Sequence, residues 1–244
     1  MERMWGAMAV RVAFVSGSKG GTGKSVLSSL ASFELASMGR KVLLVDLGEL
    51  GSSTQLCLAE DPGPPYLSDF FQGKASWRDV IVASPWEKLF VAPSSKQQGP
   101  VDADSLEYLL EAVDGYVDFV VLDMPAYPGT LYDPVAALAE VLALVMNPDK
   151  LSFSAVGGWY VGREFARRKL ALPVLNKYHP VMSPWLDRLR EYFGAVFTVS
   201  FDPALTFAYT ETIADAHKHL SKKTREEVKL LVQRLDKPLL KVTR

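Results

Sequence analysis

Along this chain, short runs of consecutive apolar residues alternate with stretches in which apolar positions recur every three or four residues. The runs are VRVAFVS at 10–16, KVLLVD at 41–46, VDFVVLD at 117–123, VLALVMN at 141–147, LALPVLN at 170–176 and AVFTVS at 195–200. A strand buried on both faces needs this near-continuous apolar character, because both alternating sets of its side chains leave water. Residues 88–92 offer one more, shorter strand. Between the runs the spacing predicts helices. From Ser25 to Met38, Val26, Leu27, Leu30 and Ala31 fall on one face, and Gly39 is placed to end the helix. Leu106, Leu109, Leu110 and Val113 recur at i, i+3, i+4 and i+7 behind Asp102, a good N-cap. A short helix is expected over 66–72 and helical material over 152–168. Near the C-terminus Val228, Leu231, Val232 and Leu235 share a face opposite Lys229, Gln233 and Arg234.

Strand and helix therefore alternate along the whole length, with no internal repeat and no long linker. The 244 residues permit two domains at about 150 residues each, but the alternation predicts one α/β domain over 1–244. Its sheet should be twisted and mostly parallel, with helices on both faces and a basic helical part at about 203–238. Ligands of such sheets lie outside the C-terminal ends of the strands, which draws attention to Ser16, Asp46, Asp123, Asn147, Asn176 and Ser200.

Composition narrows the classes. Hydrophobic types at 48% and charged residues at 23% exclude disordered and collagen-like chains. Cys57, the single cysteine, forbids an internal disulfide and a four-thiolate metal site within one chain, and favours a reducing compartment. The longest apolar stretch, 135–146, contains Glu140 and is too short to span a bilayer. The first residues carry no secretory pattern, with Met4 or Met8 as alternative starts, so cytoplasmic localisation is expected. The net charge of −1 conceals an asymmetry, −8 over residues 1–150 and +7 over 151–244. It reads either as a basic face for nucleic acid or acidic lipid, or as an unevenly charged solvated surface. His179, His217 and His219 make no metal or base constellation and are expected to be structural or surface residues. The five tryptophans are scattered and look like packing bulk rather than a stacking platform.

The strongest chemical signal is Gly17-Ser18-Lys19-Gly20-Gly21-Thr22-Gly23-Lys24-Ser25. It meets the G-x-x-x-x-G-K-[ST] pattern, follows a predicted strand and opens a predicted helix. The glycines allow a tight backbone whose N–H groups form an anion nest, and the helix adds its positive end. Lys24 is placed to reach β- and γ-phosphates, and the Ser25 hydroxyl to join a magnesium shell. Asp123, closing a strand, is the natural Walker B partner of this loop, placed to hold magnesium through water.

Lys19, at the front of the loop, makes the match more specific. Lys-Gly-Gly-Thr-Gly-Lys-Ser resembles the deviant Walker A loop of the ParA/MinD ATPases, in the wider class of nitrogenase iron protein and the arsenite-transport ATPase. The resemblance covers almost the whole chain: KVLLVD with GELGSSTQ is similar to the second strand and switch I, and FVVLDMPA to Walker B and switch II. It implies ATP and Mg2+ as cofactors and a homodimer bridged by ATP, in which Lys19 reaches the partner's phosphates. It also implies that Asn176 in VLNK reads the adenine edge, and that Ser200, Phe201 and Asp202 in VSFDPAL belong to the loop closing over the base. Gly17 to Val26 would line the phosphates, while Ser25, Asp46 and Asp123 would serve the metal.

Departures from the family pattern bear on turnover. Where the family commonly has Asp-x-Asp, this chain has Asp46-Leu47-Gly48, so glycine stands where the water-orienting carboxylate belongs. Hydrolysis should be slow unless Asp46 or Glu49 takes over. Val26 replaces a hydroxyl residue, Ala126 the second proline of Asp-x-Pro-Pro, and Ser200 a proline. The single cysteine excludes iron–sulfur and nickel-insertion relatives that need paired thiols. The expected function is a ParA-type ATPase positioning or partitioning DNA or other cargo, carried on non-specific DNA by the basic C-terminal residues. The alternatives are a nucleotide-binding regulator or scaffold with little turnover and an unidentified partner, or a MinD-like membrane ATPase. The short tail after Pro238 makes the membrane version the weakest.

Overall fold

The computed structural model of the chain describes residues 8–95, 101–126, 129, 132–208 and 210–237. The alternative start Met4, Trp5 and the tail at 238–244 lie outside them, while Met8, the other alternative start, is exposed just before β1. The first half runs β1 (Val10–Val15), α1 (Lys24–Ser37), β2 (Val42–Asp46), α2 (Ser52–Cys57), α3 (Leu67–Phe71), β3 (Val82–Ala83), β4 (Leu89–Ala92) and α4 (Ala103–Val113). Then come β5 (Phe119–Asp123), α5 (Tyr132–Ala137), β6 (Val141–Met146), α6 (Lys150–Gly162), α7 (Glu164–Arg167) and β7 (Leu170–Tyr178). The chain continues with α8 (Ser183–Phe193), β8 (Phe197–Ser200), α9 (Ala204–Phe207), α10 (Ile213–His219) and α11 (Lys222–Asp236).

The strands form one sheet in the order β3-β4-β2-β5-β1-β6-β7-β8, parallel throughout except that β3 runs antiparallel to β4. Each apolar run divides its residues between two cores. From β1, Val12 and Phe14 enter the core with α1, α10 and α11, whereas Ala13 and Val15 enter the one with α4, α5 and α6. The period-2 alternation of a strand produces this division, which is why the central runs are apolar at nearly every position.

The predicted helices form with small shifts at their ends. Asp102 caps α4 through the Ser105 amide at 3.0 Å, and Leu106, Leu109, Leu110 and Val113 are its buried face. Gly39 follows the end of α1 at φ 92, donating to the Ala36 carbonyl. The strand predicted from Lys88 starts one residue later, since Lys88 is left-handed at φ 68. Helix α11 buries Val228, Leu231, Val232 and Leu235 against the domain. Cys57 closes α2, fully buried, and burial pushes its thiol up to about 12. His217 meets the buried Glu34 of α1 at 2.5 Å, so one histidine is a structural clamp between α1 and α10.

Candidate functional site

The ends of β1, β2, β5, β6 and β7 converge where parallel-sheet ligands bind. After β1 the chain turns through Gly17 at φ 60, where a Cβ would stand 2.5 Å from the Ala155 carbonyl oxygen. The Ser16 hydroxyl donates to the Lys19 carbonyl at 3.0 Å and fixes the first bend. Ser18 is exposed, and Lys19 and Gly20 are half-buried. Gly23, at φ 85, caps α1, and a Cβ there would stand 2.3 Å from Asn176 Nδ2. Both glycines are thus required by conformation and by space.

The carbonyls at the loop's crest are bound, and its donors from Gly20 onward are free. Asn176 Nδ2 donates to the Thr22 carbonyl at 2.7 Å, Lys177 Nζ to the Gly21 carbonyl at 2.9 Å, and Asn147 Nδ2 to the same Gly21 oxygen at 3.4 Å. The N–H groups from Gly20 through Val26 donate to no acceptor among the described residues. A row of unfilled donors at the start of a helix is a site for an anion. Lys24 lies buried, its Nζ 3.4 Å from Asp123 Oδ1 and also bonded to the Met124 carbonyl. Ser25 is half-buried and Val26 buried behind it. The Lys19 ammonium has no partner among the described residues.

Asp46 and Asp123 are register partners on the neighbouring strands β2 and β5, and both are fully buried. Asp46 accepts from the Gly48 amide at 2.9 Å and from the Thr54 amide and hydroxyl at 2.8 Å each. The Ser94 amide in turn donates to the Thr54 hydroxyl, and the Ser94 hydroxyl to the Gly48 carbonyl. Burial, then the charge of Asp123, raises the Asp46 pKa to about 6 against these bonds. Asp123 Oδ2 is buried without a partner. Gly48 has ordinary backbone angles, and a Cβ there would approach Asp46 Oδ1 to 3.1 Å. Glu49 points into solvent.

On the far side, Ser200 is committed to α11: its amide reaches Glu227 Oε2 at 2.7 Å and its hydroxyl Oε1 at 3.0 Å. Asp202 accepts from the Ala204 and Ser221 amides. Burial would raise its pKa, but those bonds outweigh it and hold the carboxyl below the ordinary value. Phe201 between them is 59% exposed. The structure thus brings the loop, Lys24, Asp46, Asp123 and Asn176 together, while the side chains of Ser200 and Asp202 serve the packing of α9 and α11.

A family model described as an AAA domain matches residues 10–158, more than half of the chain. An ATP-binding protein of Methanocaldococcus jannaschii is 32% identical over 150 residues, 60% of this chain and 56% of that protein. The antiactivator FleN of Pseudomonas aeruginosa is 30% identical over 153 residues, 60% of this chain and 54% of FleN. The matched part therefore spans little more than half the length of these relatives. The septum site-determining protein MinD of Pyrococcus horikoshii, in complex with Mg-ADP, has the same fold. It gives a TM-score of 0.75 at 23% identity, covering 94% of this chain and 97% of MinD. The chain belongs to the ParA/MinD family of P-loop ATPases.

For a ParA/MinD protein, two parts of this site escape a reading of motifs. Thr54, within an ordinary polar stretch, donates to Asp46 through its amide and its hydroxyl. Asn147 and Lys177 hold the loop crest from strand ends that announce only that they are strand ends. The strand-end rule does point to Asn147, whereas no residue pattern marks Lys177.

Proposed function

We propose that the chain is a Mg-ATP-dependent switch of the ParA/MinD type that dimerises across ATP to position or partition a cargo, with feeble intrinsic hydrolysis. The observation that carries the reading is a pair of unmet demands at the same strand ends. The loop amides from Gly20 to Val26 lack acceptors, and Asp123 Oδ2 lacks any donor. Polyphosphate answers the first and a hydrated magnesium ion the second, so these residues fit both groups. Magnesium, when bound, offsets the phosphate charge. Gly17 to Val26 would line the phosphates, and Lys24 would leave Asp123 and the Met124 carbonyl to meet them. Ser25, and Asp123 through water, would hold the metal. Asp46 already accepts three bonds from Thr54 and Gly48, which supports a role for it in anchoring α2. Asn176 would present its carbonyl to the adenine edge, with Phe201 over the base. Ser200 and Asp202 would set the course of that loop. Lys19, free of partners, is available to a second subunit's phosphates.

Slow turnover rests on Gly48, where no side chain can hold an attacking water. The same residue favours a second reading, a nucleotide-binding regulator without turnover, and one relative is named an antiactivator. A DNA-carried version draws on the C-terminal basic excess, whose cations lie mostly in exposed ion pairs that hold them only loosely. Arg163 pairs with Asp133, Arg168 with Glu164, Lys218 with Asp215, Lys222 with Glu226 and Lys223 with Glu227. Arg167, Lys169 and Arg225 donate to the Val161, Ala137 and His217 carbonyls. Any DNA binding should be salt-sensitive. No helix among the described residues is long and apolar enough to cross a membrane.

Single-turnover phosphate release with sedimentation velocity tests the proposal. The expected outcome is an ATP-dependent dimer with release near background, and a Lys19→Ala protein that binds ATP yet stays monomeric. Gly48→Asp should speed release, since Gly48 is free of positive-φ strain. Brisk wild-type release that disappears in Glu49→Ala or Asp46→Ala would overturn the slow-switch reading by assigning the water to that carboxylate.

A further inference from the structure

Neighbouring side chains of a regular strand point to opposite faces of its sheet. Asn176 and Lys177 are neighbours in β7, yet both reach the crest of the phosphate loop, the amide on the Thr22 carbonyl at 2.7 Å and the ammonium on the Gly21 carbonyl at 2.9 Å. The ladder to β8 explains how. Leu175 pairs with Thr198 and Tyr178 with Ser200, so β7 spends one residue more than its partner between the two pairs. This is a β-bulge, and Lys177 occupies it at φ 53. Glycine would take that conformation without strain, whereas a lysine there is held against its preference. Backbone strain of this kind persists where the surrounding structure enforces it, and it concentrates at functional sites.

We infer that Lys177 is a positioning residue of the nucleotide site, aiming the loop's phosphate-binding amides by holding the Gly21 carbonyl outward. This rests on the phosphate-loop reading above. The mechanism is the planarity of the trans peptide, which sets each carbonyl opposite the N–H of the next residue. Holding the Gly21 oxygen toward β7 turns the Thr22 N–H away from β7, and holding the Thr22 oxygen does the same for Gly23 N–H. Lys177 and Asn176 thus fix two successive donors of the nest. Asn147 shares the Gly21 oxygen only at 3.4 Å, which leaves the ammonium as the shorter tether. Lys177 touches no phosphate itself. It acts through the loop.

The inference makes stability and binding respond in opposite directions, which a simple brace cannot do. In the full chain, Lys177→Gly should raise the Tm of the nucleotide-free protein by about 2–4 °C as strain is relieved. It should also weaken Mg-ATP binding about tenfold, measured by calorimetry, through loss of a charge-assisted bond. Lys177→Met should weaken binding similarly without the gain in Tm, and Lys177→Arg should restore most of the affinity. Undiminished ATP affinity in Lys177→Gly and Lys177→Met, with a wild type that binds, would overturn the inference alone. A parallel fall in Tm and affinity in Lys177→Gly would also overturn it, because Lys177 would then be a structural prop. A wild type that binds no nucleotide would overturn the phosphate-loop reading and this inference with it.

Discussion

Two aspartates stand side by side at the ends of β2 and β5, equally buried and paired in register, and they lead opposite chemical lives. Asp46 is sated: three donors from Gly48 and Thr54 close around it and bind it to the start of α2. Asp123 is left with one buried oxygen facing no donor and the other 3.4 Å from the buried Lys24 ammonium. Carboxylates of the same type and depth are thereby assigned different work by their neighbours alone. The sated one anchors a segment. The unsated one carries a buried oxygen without a partner, which is costly unless some state of the molecule fills it, and that is the ground on which it is proposed above to hold a metal.

The comparison breaks or sharpens under three perturbations. The largest effect should come from pH. The Asp46 pKa in the fold is raised to about 6 from an ordinary 3.8, so its contribution to stability is intact below pH 4 and is lost as pH rises through 6. The loss should amount to about 3 kcal/mol. Urea titrations of wild type and Asp46→Asn between pH 4 and 8 measure it, and the difference between the two proteins should carry this slope. Next, Thr54→Val keeps the shape but removes the hydroxyl that joins Asp46 to the Ser94 amide. Stability should fall by about 2 kcal/mol in the same measurement, as a buried charge and a buried N–H each lose a partner. The smallest effect belongs to Asp123→Asn. The fold should survive, while the gain in ATP affinity on adding magnesium should shrink roughly tenfold by calorimetry. That variant should also flatten the pH slope, since the charge of Asp123 is the second cause of the shift in Asp46.

What could be read from residues alone follows from the range over which each signal acts. The central strands were legible because burial on both faces writes an apolar run directly into the chain. The loop was legible because its glycines, lysines and serine act at fixed spacing within a single turn of backbone. Asp123 followed from its place at a strand end. By contrast, β3 is two residues long and antiparallel at the sheet edge, too short for any period to develop. Helix α8 keeps only Leu186 and Leu189 buried, so its apolar face is narrow and escapes the spacing rule. The commitment of Asp46 to Thr54 and the bulge at Lys177 arise from tertiary contacts. No residue pattern marks a lysine for positive φ, so its presence there is invisible until β7 and β8 are laid side by side.

The strand order also has a consequence in time. The phosphate loop is encoded early, but the residues that finish it lie far downstream: Asp123 is 99 positions from Lys24, and Lys177 is 156 from Gly21. β1 itself sits between β5 and β6, which are made much later. A growing chain therefore carries its most recognisable motif out of the ribosome long before that motif has walls. Closure of such distant pairings is slow, and domains tend to fold as units during synthesis. Competence to hold a ligand should thus appear abruptly, after β7 has emerged, and a nascent chain halted before residue 177 should display the motif without the grip.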